Sequence, residues 1–273
     1  MAVIHTAGEL PAYEVYALKY ATRAARRAAN FVGGDPHDAP MPLDYYVWLV
    51  RHQDRLVLVD TGFVQDMADK RHRTLLRTPV QALALMGIEA ADVRDIVITH
   101  MHNDHVGTFD AWPNARFHLQ DAEMDYATGR HMACEAHSRP YEPDHVAGLI
   151  RLAYGGRVTF HDGDGDIAPG ISVHRVGGHT AGMQVVRVHT ARGWVVLASD
   201  ASHFYEHIRA RRCFTLVFHF GDVFQGYARI EALAQSPDHI IPGHDPLVLE
   251  KYPPARRELA GIVARLDVPP AEP

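Results

Sequence analysis

Cysteine is almost absent from this sequence, with only Cys134 and Cys213 among 273 residues. Two cysteines exclude a disulfide framework, and their spacing does not match a zinc ribbon. No apolar run approaches the length of about 20 residues that a membrane-spanning helix needs. The first residues lack the basic and unbroken apolar regions of a signal peptide. We therefore expect a cytoplasmic protein with no membrane contact.

The chain also lacks a basic excess. Its formal net charge is -6 at pH 7, which argues against a general nucleic-acid footprint and disfavours a nuclease or RNA-processing phosphodiesterase. The local basic stretch at residues 18–27 is expected to form a solvated helix face or an arm. Repeats and low-complexity segments are absent, and 47% of the residues are apolar, so the chain can bury one sizeable core.

Several predicted strands end in polar residues. A hairpin is predicted for residues 45–63, with Asp60 at the end of its second strand. A short buried strand is predicted for residues 95–100, ending at His100. Later strands lead into three further candidates, namely His179, Asp200 and His244. Strands that alternate with helices predict an α/β protein whose strand ends converge on one site.

Histidine is abundant, with 20 residues, and the run ITHMHNDHVG at 98–107 concentrates several candidate ligands. His100 and His102 are separated by one residue, so in an extended segment both imidazoles face the same side and can bind one ion. Asp104 and His105 follow after the chain turns, which places them better for a second ion. The run therefore predicts half of a two-metal site.

The ligand types favour zinc, which binds imidazole together with one or two carboxylates. Magnesium and calcium prefer mostly oxygen ligands. Iron, manganese and cobalt are compatible with the same set. We expect two zinc ions per chain.

Four separated motifs carry a resemblance to a known family. They are HMHNDH at 100–105, Gly178-His179, Ser199-Asp200 and Gly243-His244. In order and type they resemble the signature of the metallo-β-lactamase superfamily. The resemblance implies a four-layer αβ/βα sandwich with a binuclear site at one edge of its sheets. It also implies that one metal is held by His100, His102 and His179. The second would be held by Asp104, His105 and His244. Asp200 would bridge the two.

Within the superfamily, Asp200-Ala201-Ser202 and the run GHD at 243–245 are most similar to the N-acyl-homoserine lactonase group. The lack of a cysteine ligand argues against the cysteine-containing β-lactamases. The resemblance implies a tyrosine soon after the bridging aspartate that hydrogen-bonds the substrate carbonyl. Here His203 occupies the nearer position and Tyr205 lies two residues beyond, so both are candidates for that role.

A lactonase mechanism follows from such a centre. Two metals that share a water lower its pKa to near 7 and supply a bridging hydroxide as nucleophile. Asp104 or Asp200 would carry a proton to the leaving ring oxygen. The expected substrate is an N-acyl-homoserine lactone or a related small lactone. Affinity would then come from apolar walls, with these candidates beside the ligand loops: Phe63, Met101, Phe204 and Tyr205. Taken singly, each of them is better explained as an ordinary core residue. His219 is a further candidate for the pocket lining.

Alternatives remain open. A thioester hydrolase of the glyoxalase II type would share the metal centre but would need a basic, helical C-terminal region, and only about thirty residues follow His244. A second alternative is a hydrolase of the same fold that acts on a different small ester or amide. A non-catalytic ligand sensor on the same fold would be expected to lose metal ligands, whereas all seven candidates are present here. An enzyme is therefore favoured.

The chain is expected to form a single domain over residues 1–273. Its parts would be an N-terminal strand or arm and loop at 1–42, a metal-binding core at 43–250 and a C-terminal tail at 251–273. Residues 25–42 are predicted to fold over the site or into a contact of a homodimer, with Phe31 as an apolar anchor. Asp60 is predicted either to orient a metal-bound imidazole or to cap its own turn.

Overall fold

The computed structural model describes residues 10–271, and this part of the chain forms strands, α-helices and short 3-10 helices. The strands are β1 (Glu14–Arg23), β2 (Leu43–His52), β3 (Arg55–Val59), β4 (Thr74–Leu75), β5 (Asp95–Val97), β6 (Arg116–Gln120), β7 (Val158–His161), β8 (Gly165–Ala168), β9 (Ile171–Arg175), β10 (Gln184–Thr190), β11 (Gly193–Ser199), β12 (Ile240–Pro242) and β13 (Val263–Arg265). The α-helices are α1 (Arg27–Asn30), α2 (Gln65–Lys70), α3 (Pro79–Ala84), α4 (Asn103–Val106), α5 (Asp121–Thr128), α6 (Glu135–Ser138), α7 (Pro143–Tyr154), α8 (Tyr205–Arg209), α9 (Phe220–Leu233) and α10 (Leu247–Lys251). The 3-10 helices are Ala90–Asp92, Phe109–Ala111, Arg130–Ala133, Pro237–His239 and Arg257–Leu259.

The strands form two sheets. The larger has the order β13-β1-β2-β3-β5-β6-β7, with β4 paired to β1, and the smaller has the order β12-β11-β10-β9-β8. Strands β3, β5, β6 and β7 run parallel to one another, as do β11 and β12. The carboxyl ends of parallel strands lie at the same edge of their sheet, so each sheet gathers its strand exits on one side.

Alternating side chains sort the core into layers. On β2, Tyr46 and Trp48 pack between the two sheets with Val186 of β10. The intervening Tyr45 and Val47 face the helices that cover the larger sheet. A third buried cluster joins the outer face of β10 and β11 to α9. Because central strands such as β2, β10 and β11 bury both faces, the chain forms the predicted four-layer αβ/βα sandwich.

One sequence-based expectation is corrected near the N-terminus, and a short strand lies within the C-terminal part. Residues 18–27 were expected as a helix face or arm, but residues up to Arg23 lie in β1, where Leu18 and Tyr20 are buried and Lys19 pairs with Asp44 at 2.6 Å. The expected C-terminal tail contains β13, which pairs with β1. The apolar strand face outweighs the basic residues in the first segment. Residues 1–9 and 272–273 lie outside the described part.

The longest helix of the described part is α9, with 14 residues. None of the helices within residues 10–271 has the length and apolarity needed to cross a membrane. The residues that follow β3, β5, β11 and β12 include Asp60, His100, Asp200 and His244.

Candidate metal centre

The segment after β5 presents its polar residues through a change of backbone structure. His100 lies three residues after the end of β5, and His102 is the extended residue that precedes α4, with φ -65° and ψ 155°. Asp104 and His105 lie within the first turn of α4. The potential ligands in the extended part and those in the helix therefore point toward two neighbouring positions. The spacing of the run predicts this division.

Three other loops complete the cluster. His179 lies between β9 and β10, after Gly178, which has φ +86° and whose added Cβ would lie 2.7 Å from the backbone nitrogen of Val223. Only glycine fits that close approach. Asp200 directly follows β11, and His244 follows β12. The cluster thus draws on residues from both sheets.

The structure brings the expected ligand sets together. Within each set the potential ligand atoms lie within 4.8 Å of one another. One set is His100, His102 and His179, and the other is Asp104, His105 and His244. All six residues are buried.

Asp200 lies between the two sets. Its Oδ1 is 3.0 Å from Nε2 of His244 and 3.3 Å from Nε2 of His105. Its Oδ2 is 3.2 Å from Nε2 of His179 and 3.9 Å from Nε2 of His100. Each carboxylate oxygen therefore faces a different set, which is the arrangement that a bridging ligand requires.

The opposite ring nitrogens of these histidines contact protein oxygens. Nδ1 of His105 lies 2.7 Å from Oδ2 of Asp60, and Nδ1 of His100 lies 3.2 Å from Oγ1 of Thr99. Nδ1 of His179 is 2.8 Å from the carbonyl oxygen of Leu216. Nδ1 of His244 is likewise 2.8 Å from the carbonyl oxygen of Asp44. Such partners fix the ring and aim Nε2 at the centre.

Three of the potential ligand atoms at the centre form no hydrogen bond in the described part of the chain. Nε2 of His100, Nε2 of His105 and Oδ1 of Asp200 are buried and have no hydrogen bond within residues 10–271. Buried polar atoms without partners are rare in native proteins and costly. A divalent cation ligated by imidazole and carboxylate would satisfy all three, so the residues present fit such an ion.

The pocket shifts the pKa values of several candidate ligands. Burial alone would lower the pKa of His105, but Asp200, Asp60 and Asp104 raise it well above its usual range. Burial lowers the pKa of His100 and of His102 well below the usual range, which leaves neutral imidazoles. Burial alone would raise the pKa of Asp200, but His244 and His105 hold it well below its usual range. The pKa of Asp104 is also lowered despite burial, chiefly by Arg73.

Asp60 orients ligand residues. Besides its contact with His105, its carboxylate accepts hydrogen bonds from the backbone nitrogen and from Oγ1 of Thr99, both at 2.8 Å. Oγ of Ser199 lies 3.3 Å from the same carboxylate. Asp60 has φ 62°, so the end of β3 turns sharply here. Of the two roles predicted for Asp60, the structure favours orientation of an imidazole.

Glu123 was missed from the sequence. This buried carboxylate in α5 accepts hydrogen bonds from the backbone nitrogen of Met101 at 2.9 Å, Oγ1 of Thr180 at 2.6 Å and the hydroxyl of Tyr141 at 2.8 Å. It therefore ties the two loops that carry His102 and His179. The available signal was its place just after β6, at the same sheet edge as the other polar strand exits.

The two candidates for contact with the substrate carbonyl lie in different places. His203 lines the cavity at the centre, with its Nε2 3.1 Å from Oδ2 of Asp200. Burial lowers the pKa of His203 to about 4. Tyr205 instead packs in the core between the sheets, with the Lys251 ammonium 4.7 Å from its ring centroid. The expectation that Tyr205 contacts substrate is therefore corrected.

The cavity at the centre has a volume of about 160 Å³. Its lining comprises Arg23, Ala29, Asn30, Leu43, Tyr45, His102, Asp104, Pro140, Asp200, His203, Thr215, Leu216 and His244. Phe63, Met101 and Phe204 are buried in the core, which is the interpretation favoured for each of them singly, and they do not line the cavity. His219 is exposed and accepts a hydrogen bond at the start of α9 rather than lining the cavity.

The segment between β1 and β2 reaches this cavity, as predicted. Ala29 and Asn30 of α1 form part of its wall. Phe31 is buried beneath the Arg212 guanidinium, which lies 3.7 Å from its ring centroid. Arg27 also pairs with Glu206 of α8 at 2.7 Å. The anchor predicted at Phe31 thus holds the segment against the loop that follows Asp200.

The chain is similar to known proteins along most of its length. The sequence-family model of the metallo-beta-lactamase superfamily matches residues 41–244. A probable metallo-hydrolase from Mycobacterium tuberculosis is 32% identical over 181 residues, which are 57% of this chain and 56% of that protein. The alignment thus spans little more than half of that relative.

Two further similarities concern lactonases. An N-acyl homoserine lactonase from Bacillus sp. is 28% identical over 178 residues, which are 59% of this chain and 66% of that protein. The crystal structure of a quorum-quenching N-acyl homoserine lactone lactonase superposes with a TM-score of 0.73 at 21% identity. That superposition covers 87% of this chain and 94% of the other, and it shows the same fold.

Proposed function

This chain belongs to the metallo-β-lactamase superfamily, and we propose that it is a metal-dependent hydrolase that opens the ester ring of a lactone. The carrying observation is that two sets of buried ligand atoms meet at Asp200. We propose an N-acyl-homoserine lactone or a related small lactone as substrate. The similarity to proteins named as lactonases supports that substrate class.

The proposed cofactor is a pair of zinc ions. One would be held by His100, His102 and His179, and the other by Asp104, His105 and His244, with Asp200 shared between them. The excess of imidazole over carboxylate in these sets favours zinc. Bound ions of this kind lower the pKa of water toward 7 and polarise a carbonyl.

The side chains around the centre have separate tasks. Asp104 lines the cavity, and Arg73, 3.5 Å from its Oδ2, favours the ionised carboxylate. In that form Asp104 can accept a proton from the attacking water and return it to the leaving ring oxygen. Leu43, Pro140 and Leu216 provide apolar surface for a neutral ring.

A substrate panel tests the proposal. The zinc-loaded full-length protein is assayed by proton release with N-acyl-homoserine lactones of several chain lengths, γ-lactones, a glutathione thioester and a phosphodiester. We expect turnover of lactones. Turnover restricted to the thioester or the phosphodiester would overturn the lactonase proposal.

Matched variants distinguish catalysis by this centre from the activity of a contaminating enzyme. Asp104→Ala removes a carboxylate from the cavity and should abolish lactone turnover, as should His102→Ala. Asp110→Ala, which changes a carboxylate in a 3-10 helix outside the cavity, should retain it. Full activity in Asp104→Ala would contradict the assigned role of this centre.

A further inference from the structure

A wide polar groove adjoins the cavity of the metal centre. Its volume is about 740 Å³, compared with about 160 Å³ for the cavity. The two share part of their lining, namely Arg23, Pro140, Thr215 and Leu216. A substrate whose reacting group lies in the cavity would therefore place the rest of its structure in this groove.

The groove is richer in cationic than in anionic side chains. Its cationic residues are Arg23, Lys70, Arg71 and Arg139, and its carboxylates are Glu135 and Glu142. This local balance contrasts with the formal charge of -6 for the whole chain. Cationic walls of a cleft concentrate anionic ligands.

Two of the cations already have a partner. Lys70 lies 2.6 Å from Glu142, and Arg71 also pairs with that carboxylate. Glu142 is buried, and although burial would raise its pKa, the hydrogen bonds from Lys70 and Arg71 lower it. Glu142, Lys70 and Arg71 therefore form a structural network of ion pairs on one side of the groove.

Arg23 and Arg139 lack such a partner. Within residues 10–271, neither guanidinium forms an ion pair. The Nε atom of Arg23 is buried and has no hydrogen bond in that part of the chain. Arg23 lies at the end of β1, where it faces both the cavity and the groove. A planar guanidinium in this position is suited to a carboxylate.

We propose that the substrate of this centre carries a carboxylate on the arm remote from the scissile bond, and that Arg23 and Arg139 recognise it. This inference rests on the proposed hydrolase function and narrows its substrate class. An acyl-homoserine lactone with a terminal carboxylate and a glutathione thioester both supply this chemistry.

The test compares substrates that differ in one charge. The zinc-loaded protein is assayed with N-adipoyl-homoserine lactone, whose acyl chain ends in a carboxylate, and with its neutral methyl ester. We expect kcat/KM to favour the carboxylate by roughly tenfold at low salt, because charge-assisted bonds to guanidinium are strong. The preference should shrink in 0.5 M NaCl because salt screens exposed charges. Equal kcat/KM values would overturn the inference and leave the lactonase proposal intact.

Arginine variants locate the effect. Arg139→Gln and Arg23→Gln should each reduce the ratio of the two kcat/KM values at least about threefold. Arg116→Gln is the matched control, because Arg116 begins β6 and does not line the groove. An unchanged ratio in Arg139→Gln, which alters an exposed side chain, would contradict the assignment of that residue.

A binding experiment tests this inference independently of the proposed function. Calorimetry compares adipamate, which has a terminal carboxylate, with the neutral hexanamide. Tighter binding of adipamate without turnover of either lactone would support carboxylate recognition and refute the lactonase. Preferred turnover of a glutathione thioester, weakened by Arg139→Gln, would identify the thioester as the source of the carboxylate. Equal binding of the two amides together with equal turnover would refute the inference.

Discussion

Tyr45 is the residue whose place in the cavity points to substrate contact. Its ring centroid lies 4.8 Å from that of His244, and the Arg73 guanidinium lies 4.7 Å from the Tyr45 centroid. Burial raises the pKa of Tyr45, so its phenol remains protonated at neutral pH. Tyr45 shares the cavity wall with Asp200 and His203. A protonated phenol there can donate a hydrogen bond to a substrate carbonyl.

Replacing this phenol gives a prediction at the residue scale. Tyr45→Phe should lower kcat/KM for a lactone about 10- to 100-fold, because it removes a donor that stabilises developing negative charge. Metal content should remain as in the unmodified protein. Steady-state kinetics with metal analysis measures both. Tyr16→Phe, at a buried tyrosine of β1 that does not line the cavity, is the matched control. Equal loss in the two variants would indicate a general packing effect.

The 100–105 run and Tyr45 differ in how readily the sequence identifies them as site residues. Ligands one or two residues apart have a spacing that itself indicates a shared site. Tyr45, Arg73 and Glu123 come to the centre through strand pairing and helix packing, and the sequence around each resembles ordinary core or surface. Tyr205 was misplaced for a related reason, since the turn after Asp200 directs that side chain into the core.

At the scale of elements, the segment between β1 and β2 depends on polar contacts with α8 and the turn after it. Arg212 lies 2.6 Å from Asp35, and Arg27 bridges Asp35 and Glu206. Nδ1 of His207 accepts from the Phe204 backbone nitrogen, so Nε2 donates to the carbonyl oxygen of Asn30 at 3.1 Å. This arrangement requires a neutral imidazole at position 207.

The buried imidazole predicts a pH dependence. Burial lowers the pKa of His207 to about 3, compared with about 6.5 in an unfolded chain. Between these values the unfolded chain binds more protons than the folded one, so the free energy of unfolding should fall as the pH falls below 6.5. One such group contributes a slope of up to about 1.4 kcal/mol per pH unit. Urea unfolding of metal-free protein at several pH values between 4 and 7 measures it.

His207→Gln provides the comparison. Glutamine can accept and donate hydrogen bonds but does not titrate in this range. The variant should therefore show a flatter dependence of unfolding free energy on pH, even if its stability at pH 7 is lower. Parallel curves for the two proteins would mean that His207 does not contribute the predicted slope.

Strands with a clear alternation of apolar and polar residues were predictable from the sequence. Strands that form only by pairing with a strand distant in sequence were not. The hairpin of β2 and β3 appears with its turn where the polar residues indicated. β1 was misjudged because Lys19 and Arg23 suggested a solvated face, although the intervening Leu18 and Tyr20 are buried. β13 has three residues, too short for a periodic pattern, and it is defined by its pairing with β1.

At the scale of the molecule, the centre joins parts of the chain that are far apart in sequence. Its candidate ligands span His100 to His244 and come from loops of both sheets. Asp60, Asp104 and Asp200 place three buried carboxylates close to His105. Cations bound there would offset this concentration of negative charge and link the four ligand loops.

Metal removal should therefore reduce both stability and activity. We expect about two transition-metal equivalents per chain by elemental analysis. Chelation should lower the Tm by roughly 10 °C, because an ion present at about 1,000 times its Kd stabilises the folded state by about 4 kcal/mol. Zinc should restore both properties. Asp104→Ala, which removes a ligand from one set only, should retain about one equivalent and show a smaller change in Tm on chelation. A single equivalent in the unmodified protein would contradict the binuclear centre, whereas loss of both metals in Asp104→Ala would mean that the two sets bind cooperatively.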